Sequence, residues 1–598
     1  MGNPVSKNGV TVYAYRGDAM TMLALDLEEA KTKNFVGFTI QFKAGTREGY
    51  IYNQMTFKDD VALPETPANK NERLSSKFSP IQKFRWVHVP ATRNFIDNPY
   101  FGKYTYTVTP RYVENGKLLQ IDPALSVSVA IDVRPFKKGD VSIGFTRAFV
   151  SSQAYAAHFG NKLDLRPNKK DLVFDIKQIS GTAKRWDNTA LQFTNTDFSF
   201  EEQHRYLGWQ ARNRVMEFLD EVINDKSLTL DVFAYDLNEP EIVNRLITLA
   251  REGRVRIILD NYPNHNKPTS WETKFQQLFD TDAKDKTHIF RGKYRSQAHS
   301  KIFIQRENKV NGRAIKVLTG STNFTTNGLY INANHTITFE NAKVAQLYAD
   351  AFAASFTQTL MDDFRNSNFA SQDHVFGAAD GLPEMTIRIS PHPPKYTDTF
   401  FESITNKILN AESDVLFAIM IDTSKSDILS AVQKQVANDK VFTYGITDEK
   451  DNIALYKPDS KTGVKISAKQ IESNLPKPFN EIAKISAFGH VIHHKFVVVD
   501  FKGKNPVVYC GSSNLAYNPE QKNGDNLLEI RDKDIVTAFA IEAIRLIDHF
   551  HWLNRKIDDK KKKIGFNLRD VREPFKWYTP YYKSTDLKFV ERTLLIKK

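Results

Sequence analysis

Residues 493–526 read HHKFVVVDFKGKNPVVYCGSSNLAYNPEQKNGDN, and residues 299–334 read HSKIFIQRENKVNGRAIKVLTGSTNFTTNGLYINAN. Each stretch opens on a histidine and a lysine one residue apart, enters an apolar run, and reaches a tight polar turn, GSSN at Gly511–Asn514 and GSTN at Gly320–Asn323. A polar residue then stands at the same offset from each turn, Asp525 in one and Asn334 in the other. Side chains alternate along a strand, so His299 and Lys301 point one way and Ser300 the other; His493, Lys495 and His494 repeat the arrangement.

The correspondence extends upstream. SLTLDVFAYDLNEPEIVNRLITLAREGRVRIILDN from Ser227 and SDVLFAIMIDTSKSDILSAVQKQVANDKVFTYGITD from Ser413 share one order: a buried strand ending near Asp236 or Asp422, a helix, then another apolar strand. Helical runs close each unit, AKVAQLYADAFAASF from Ala342 and DIVTAFAIEAIRLIDHF from Asp534. A repeat this long implies two similar structural halves, packed about a pseudo-twofold. Before them, FVGFTIQFK from Phe35, FRWVHV from Phe84, YTYTVTPRY from Tyr104 and LSVSVAIDV from Leu125 alternate apolar and polar positions. These predict an antiparallel, all-β sandwich of immunoglobulin or fibronectin type. The expected architecture is therefore α/β: a sandwich over 1–140, a first α/β/α half-domain over 141–385 and a second over 386–598.

With 598 residues, 41% of them hydrophobic, the chain has material for two or three cores. The single cysteine, Cys510, excludes intramolecular disulfides and cysteine-built metal clusters. It ends the strand PVVYC, where a small core residue fits better than a catalytic thiol. No stretch reaches transmembrane length and no leader opens the chain, so a soluble cytoplasmic protein without an integral membrane segment is expected, as a monomer. Gly2 and Ser6 match a myristoylation spacing that recurs by chance. The net charge is +13, but Arg555–Lys598 carries 14 Lys or Arg against 6 acids, which is +8 of it. Net charge alone does not make the body a polyanion binder.

Joined about the pseudo-twofold, the paired histidines and lysines surround one cavity, and the GS-x-N turns add amide and hydroxyl donors from Asn323, Asn514, Ser321 and Ser512. Such a set stabilises charge on non-bridging phosphate oxygens without a metal or other cofactor. One neutral histidine can attack phosphorus while the other, protonated, donates its proton to the leaving oxygen and later activates water.

The second half, with His493-x-Lys495, Asp500, GSSN and NGDN, resembles the phospholipase D superfamily, and the resemblance spans roughly Ser227–Phe550. It implies two phospholipase D-like half-domains sharing one site, with His299, Lys301, Asn323, His493, Lys495 and Asn514 catalytic, and a phosphohistidine on one histidine, by analogy His299. Two departures stand in the first half. Arg306 replaces the motif aspartate, and Asn334 replaces the carboxylate that orients a histidine, leaving Asp525 as the one acid of that kind. Glu529 is the next candidate orienter.

The expected function is hydrolysis of a phosphodiester substrate. Aromatics among the basic residues of the tail, Phe566, Phe575, Trp577, Tyr578, Tyr581, Tyr582 and Phe589 after Lys560–Lys563, favour nucleic acid over phospholipid, because bases stack on such rings. Packing of these rings on the body as closing strands is the competing reading. So is a catalytically impaired phosphate-ligand binding protein in place of an enzyme. His490 and His494 flank the second motif without neighbouring acids or cysteines at zinc-ligand spacing.

Overall fold

The computed structural model describes residues 2–53, 55–58, 60–90, 99–160, 164–168, 170–187, 192–357, 362–420, 426–448, 464–467, 491–561, 567–572 and 576–597. Asp422, His490, Lys562, Lys563, Phe566 and Phe575 lie outside them.

The four alternating runs near the start are strands. One sheet joins Val5–Lys7, Val10–Arg16, Thr21–Leu27 and Arg85–His88; the facing sheet joins Arg47–Tyr50, Phe35–Ala44, Gly102–Glu114 and Lys117–Leu118, with Val127–Val133 along the long Gly102–Glu114 strand. Its alternation is visible residue by residue: Tyr104, Tyr106 and Val108 are buried, Thr105 and Thr107 between them are half-buried, and Lys103 before them is exposed. Phe35, Phe38, Phe84 and Tyr106 fill the space between the sheets, each contributing roughly 1.5–3 kcal/mol by leaving water.

The body holds two eight-stranded sheets. Edge to edge, the first runs Lys137–Lys138, Val141–Phe145, His335–Phe339, Ala314–Gly320, Lys301–Glu307, Leu228–Ala234, Val255–Asp260 and Ile289–Gly292. The second runs His374–Phe376, Met385–Ile389, Asn526–Ile530, Val507–Gly511, Lys495–Val499, Asp414–Ile419, Phe442–Thr447 and Val464–Ser467. The order is the same, and so is the pairing: only the last three strands of each sheet are parallel. Ala234 faces Lys301 in one sheet as Ile419 faces Lys495 in the other. One apolar core includes residues of both halves, Phe145, Phe233, Phe303, Phe496 and Phe539 among them.

The glycine of each GS-x-N turn has a shared cause. Gly320 and Gly511 end their strands at φ of 142° and 137°, where side chains strain the backbone. A Cβ there would also lie 2.3 Å from the His335 carbonyl oxygen and 2.4 Å from that of Asn526.

The tail corrects one expectation. Tyr581, Tyr582 and Phe589 sit on helices, Thr579–Tyr582 and Leu587–Ile596, not on closing strands, and Trp577 and Tyr578 lie just before the first of them. Trp577 and Tyr581 are buried in the sandwich core against Phe84, the Tyr582 hydroxyl donates to the Leu27 carbonyl at 2.6 Å, and Leu595 enters the body's core. Trp577 and Tyr581, held this way, are not free to stack on bases. Among the described residues no helix is long and apolar enough to cross a membrane.

Candidate active site

Lys301 and Lys495 are the first residues of matching strands, with His299 and His493 in the segments that lead into them. All four are buried. The intervening residues turn elsewhere, Ser300 to the Gly524 carbonyl at 3.2 Å and His494 toward Glu542. The halves meet through an exchange of main chain that obeys the pseudo-twofold. Ala333 N–H donates to the Val491 carbonyl, and Gly524 N–H to that of Gln297, both at 2.8 Å.

This exchange carries each orienting residue across to the other half. His299 Nδ1 lies 2.8 Å from Asp525 Oδ1, and His493 Nδ1 lies 2.9 Å from Asn334 Oδ1 and 3.0 Å from the Ser321 carbonyl. Both histidines therefore carry Nδ1–H, which leaves each Nε2 for chemistry. Glu529, the fallback orienter, instead pairs with Arg388 and Arg531.

Ser321 and Ser512 are fully buried. Their hydroxyls donate to Asn334 Oδ1 at 2.8 Å and to Asp525 Oδ1 at 2.7 Å. The sequence reading gave them to substrate; the geometry sets them behind the orienters.

The lysines close on their own motifs. Lys301 Nζ donates to the His299 carbonyl and stands 4.7 Å from the centre of the Tyr235 ring. Lys495 Nζ donates to the His493 carbonyl at 3.0 Å, lies 3.3 Å from His493 Nε2, and approaches Met420 Sδ at 3.8 Å. Tyr235 and Met420 occupy equivalent places just beyond their strands. Burial pushes Lys301 down to about 8. Burial also lowers His299, against the opposing pull of Asp525, while both lysines add to the lowering. Charges from both halves thus act on this one imidazole. Asn323 Nδ2 donates to Asp236 at 2.7 Å, and the amide oxygens of Asn323 and Asn514 find no partner among the described residues.

Beside the first half stands a group the sequence reading missed. Tyr235 packs at 4.6 Å from the His299 ring and 4.7 Å from His265; His265 bridges Asp236 at 2.9 Å and Asp260 at 2.7 Å. Burial opposes its charge, but those carboxylates raise His265 to about 10. Asp422 stands opposite Asp236 in the repeat, but His265 lies outside the stretches that the repeat marked. Among the described residues, Asp236, His265 and Glu272, and separately His204, Glu239 and Glu241, have the spacing to hold a metal ion; neither set includes a residue of the repeated motif.

Arg306 and Asp500 both serve the fold. Asp500 accepts from Lys407, Glu412 N–H and Ser413 N–H. Arg306 donates to Asp231 and the Gly312 carbonyl. Cys510 is buried, which pushes its thiol well up.

Each half of the duplicated α/β body thus brings a histidine, a lysine and an asparagine, and each imidazole takes its orienting residue from the other half. Residues 219–355 and 404–547 match the family described as "Cardiolipin synthase, PLD-like domain". The two halves belong to the phospholipase D superfamily. Among solved structures, the chain is similar to phosphatidylserine synthase from Haemophilus influenzae (12% identity, 59% of this chain and 92% of that one, TM-score 0.39). It is also similar to polyphosphate kinase from Porphyromonas gingivalis (10%, 64% and 54%, TM-score 0.36). A third is Nuc, a phospholipase D family member from Salmonella typhimurium (20%, 24% and 87%, TM-score 0.19). A search of the curated proteins finds no match.

Proposed function

We propose that the chain cleaves phosphodiester bonds in two displacements at one site built from both halves. The observation that carries this is the unequal pair of orienters, Asp525 on His299 and Asn334 on His493. A carboxylate on Nδ1–H makes the Nε2 lone pair of His299 more basic and steadies the cation formed as it bonds phosphorus. A neutral amide gives the His493 imidazolium no such stabilisation, which keeps it a ready proton donor.

In the first displacement His299 Nε2 forms the N–P bond, the P–O bond to the leaving group breaks, and His493 Nε2–H delivers its proton to that oxygen. In the second, neutral His493 takes a proton from water, the water oxygen bonds phosphorus, and the P–N bond returns its electrons to His299. Lys301, Lys495, Asn323 and Asn514 stabilise charge on the non-bridging oxygens. Ser321 and Ser512 act as positioning residues.

The family's description names cardiolipin synthase, and the tail's rings are packed in the fold; phospholipid is therefore the substrate to test before nucleic acid. The test is a labelled phosphodiester, quenched in base, where the phosphoramidate survives. Label on His299, released by water or an alcohol acceptor, is the expected result. Turnover with label on no histidine overturns the mechanism.

A further inference from the structure

The half oriented by an amide contains a chain of buried polar groups that the half oriented by a carboxylate lacks. Ser321 Oγ stands 3.1 Å from His335 Nδ1, His335 Nδ1 stands 3.2 Å from His494 Nδ1, and His494 Nε2 stands 3.4 Å from Glu542 Oε1. Arg545 pairs with Glu542 at 2.7 Å and donates to the Thr146 carbonyl. The two imidazoles stack at 5.5 Å, 10° from parallel, with Phe145, Phe496 and Phe539 around them. His335, His494 and Glu542 are all fully buried.

The repeat supplies an internal comparison. Opposite His335 stands Asn526, and opposite His494 stands Ser300. Asn341 caps helix Ala342–Ser355 through two backbone N–H groups, as Asp532 caps helix Lys533–Lys561. Counted from those caps, Glu542 and Arg545 fall opposite Ala351 and Ala354. Every charged or imidazole member of the chain thus lies on the side of Asn334 and is replaced by Asn, Ser or Ala on the side of Asp525.

Hydrogen-bond polarity gives the arrangement a direction. The Glu542 carboxylate, held below its ordinary range by Arg545 and His494 although burial works the other way, accepts from His494 and so places that proton on Nε2. His494 Nδ1 is then an acceptor, and the His335 proton sits on Nδ1; His335 Nε2 has no partner among the described residues, where a lone pair costs less than an orphaned N–H. With Nδ1–H facing it, the Ser321 hydroxyl has no acceptor on His335 and donates to Asn334 Oδ1. Asn334 Nδ2 donates to the Gly328 carbonyl at 2.8 Å, so its oxygen faces His493. A carboxylate presents an acceptor whichever way it turns; an amide does so in one of two orientations.

We propose that Glu542, His494 and His335, acting through Ser321, are positioning residues that hold the Asn334 amide oxygen toward His493 and so set the proton of His493 on Nδ1. This rests on the proposed two-displacement function, and the test separates the two. In the full-length chain labelled with ¹⁵N-histidine, His493 is expected as the Nδ1–H tautomer. Replacing His335→Asn together with His494→Ser, the residues of the other half, mixes the tautomers and lowers kcat on the order of 10- to 100-fold with KM little changed. Glu542→Gln, which keeps the shape, acts in the same direction. Adding Asn334→Asp to the double replacement restores most of kcat, since a carboxylate needs no orienting chain. A His493 tautomer indifferent to these replacements, or an equal loss with Asn334 and with Asp at that position, overturns the proposal. If wild type turns over no phosphodiester while the tautomer still follows the replacements, the chain stands and the function falls.

Discussion

Asp525 lies in the second half of the chain, yet it accepts its 2.8 Å hydrogen bond from His299 of the first. Neither half is a site by itself: each brings a histidine and a lysine and borrows the residue that orients its imidazole. The exchange follows from main-chain pairing, because the segment bearing Asn334 bonds the one leading into His493 and the segment bearing Asp525 bonds the one leading into His299.

Removing that carboxylate while keeping its shape tests the assignment directly. Asp525→Asn is expected to lower kcat by roughly 10²- to 10⁴-fold, in the range seen when an orienting aspartate becomes an amide. Asn334→Asp is expected to be tolerated. Steady-state kinetics of both variants, with equally small effects, would show that the histidines are held by something else.

His299→Ala and His493→Ala are each expected to abolish nearly all turnover, and the double variant to be no worse than either, because both side chains belong to one cycle. Only His493→Ala retains the nucleophile, so a slowly formed covalent adduct is expected there and not in His299→Ala. Near-normal rates in either single variant count against a shared site.

How much of this was legible in sequence depends on how local each feature is. Period-two alternation marked the strand Gly102–Glu114, and the order of strand, helix and strand placed two matching sheets, since burial alternates residue by residue. His299, Lys301, His493 and Lys495 were legible because a strand start fixes their common direction. The partnership of Asp525 with His299 was not: 226 residues separate them, and either half could have kept its orienter to itself. His494 read as a bystander because the chain through Glu542 exists only in three dimensions. The tail was ambiguous because aromatics interleaved with lysines look alike whether they pack on protein or await a base.

Turnover is expected to persist in excess EDTA, with charge on the phosphate carried by Lys301, Lys495, Asn323 and Asn514. The group Asp236, His265 and Glu272, which could hold a metal, makes the experiment informative. Loss of activity in chelator, with recovery on adding a divalent ion, would replace the mechanism.

Lys301 gives activity and stability opposite responses to alkali. Burial lowers it from 10.5 to about 8, so kcat/KM is expected to fall as pH rises through 8 and the charge that faces phosphate is lost. The unfolded chain binds that proton up to the ordinary value, and between about 8 and 10.5 it holds more protons at this site than the folded chain does. This group's contribution to stability therefore rises with pH across that window. Lys301→Arg is expected to remove the alkaline limb near 8 from the pH profile, since a guanidinium stays charged there; an unmoved limb assigns it to another group.

The tail offers the last test, because a nucleic-acid arm and a structural strap respond differently to loss. Trp577 and Tyr581 close the sandwich core, Leu587 and Leu595 enter the core of the body, and Lys502 donates to the Lys597 carbonyl at 2.6 Å. Trp577→Ala is expected to cost about 3–5 kcal/mol, as for other buried aromatic truncations, and to lower the midpoint of thermal unfolding. Deleting residues 577–598 removes all these contacts together and is expected to give a chain that aggregates or loses every activity at once. An arm behaves otherwise: its deletion leaves a stable protein with unchanged turnover of a small phosphodiester, and it flattens the salt dependence of single-strand binding, because fewer counterions are released. Thermal unfolding, turnover and salt-dependent binding on the same two variants decide the matter. A soluble truncation with an unchanged midpoint and a flattened salt slope would return nucleic acid to first place.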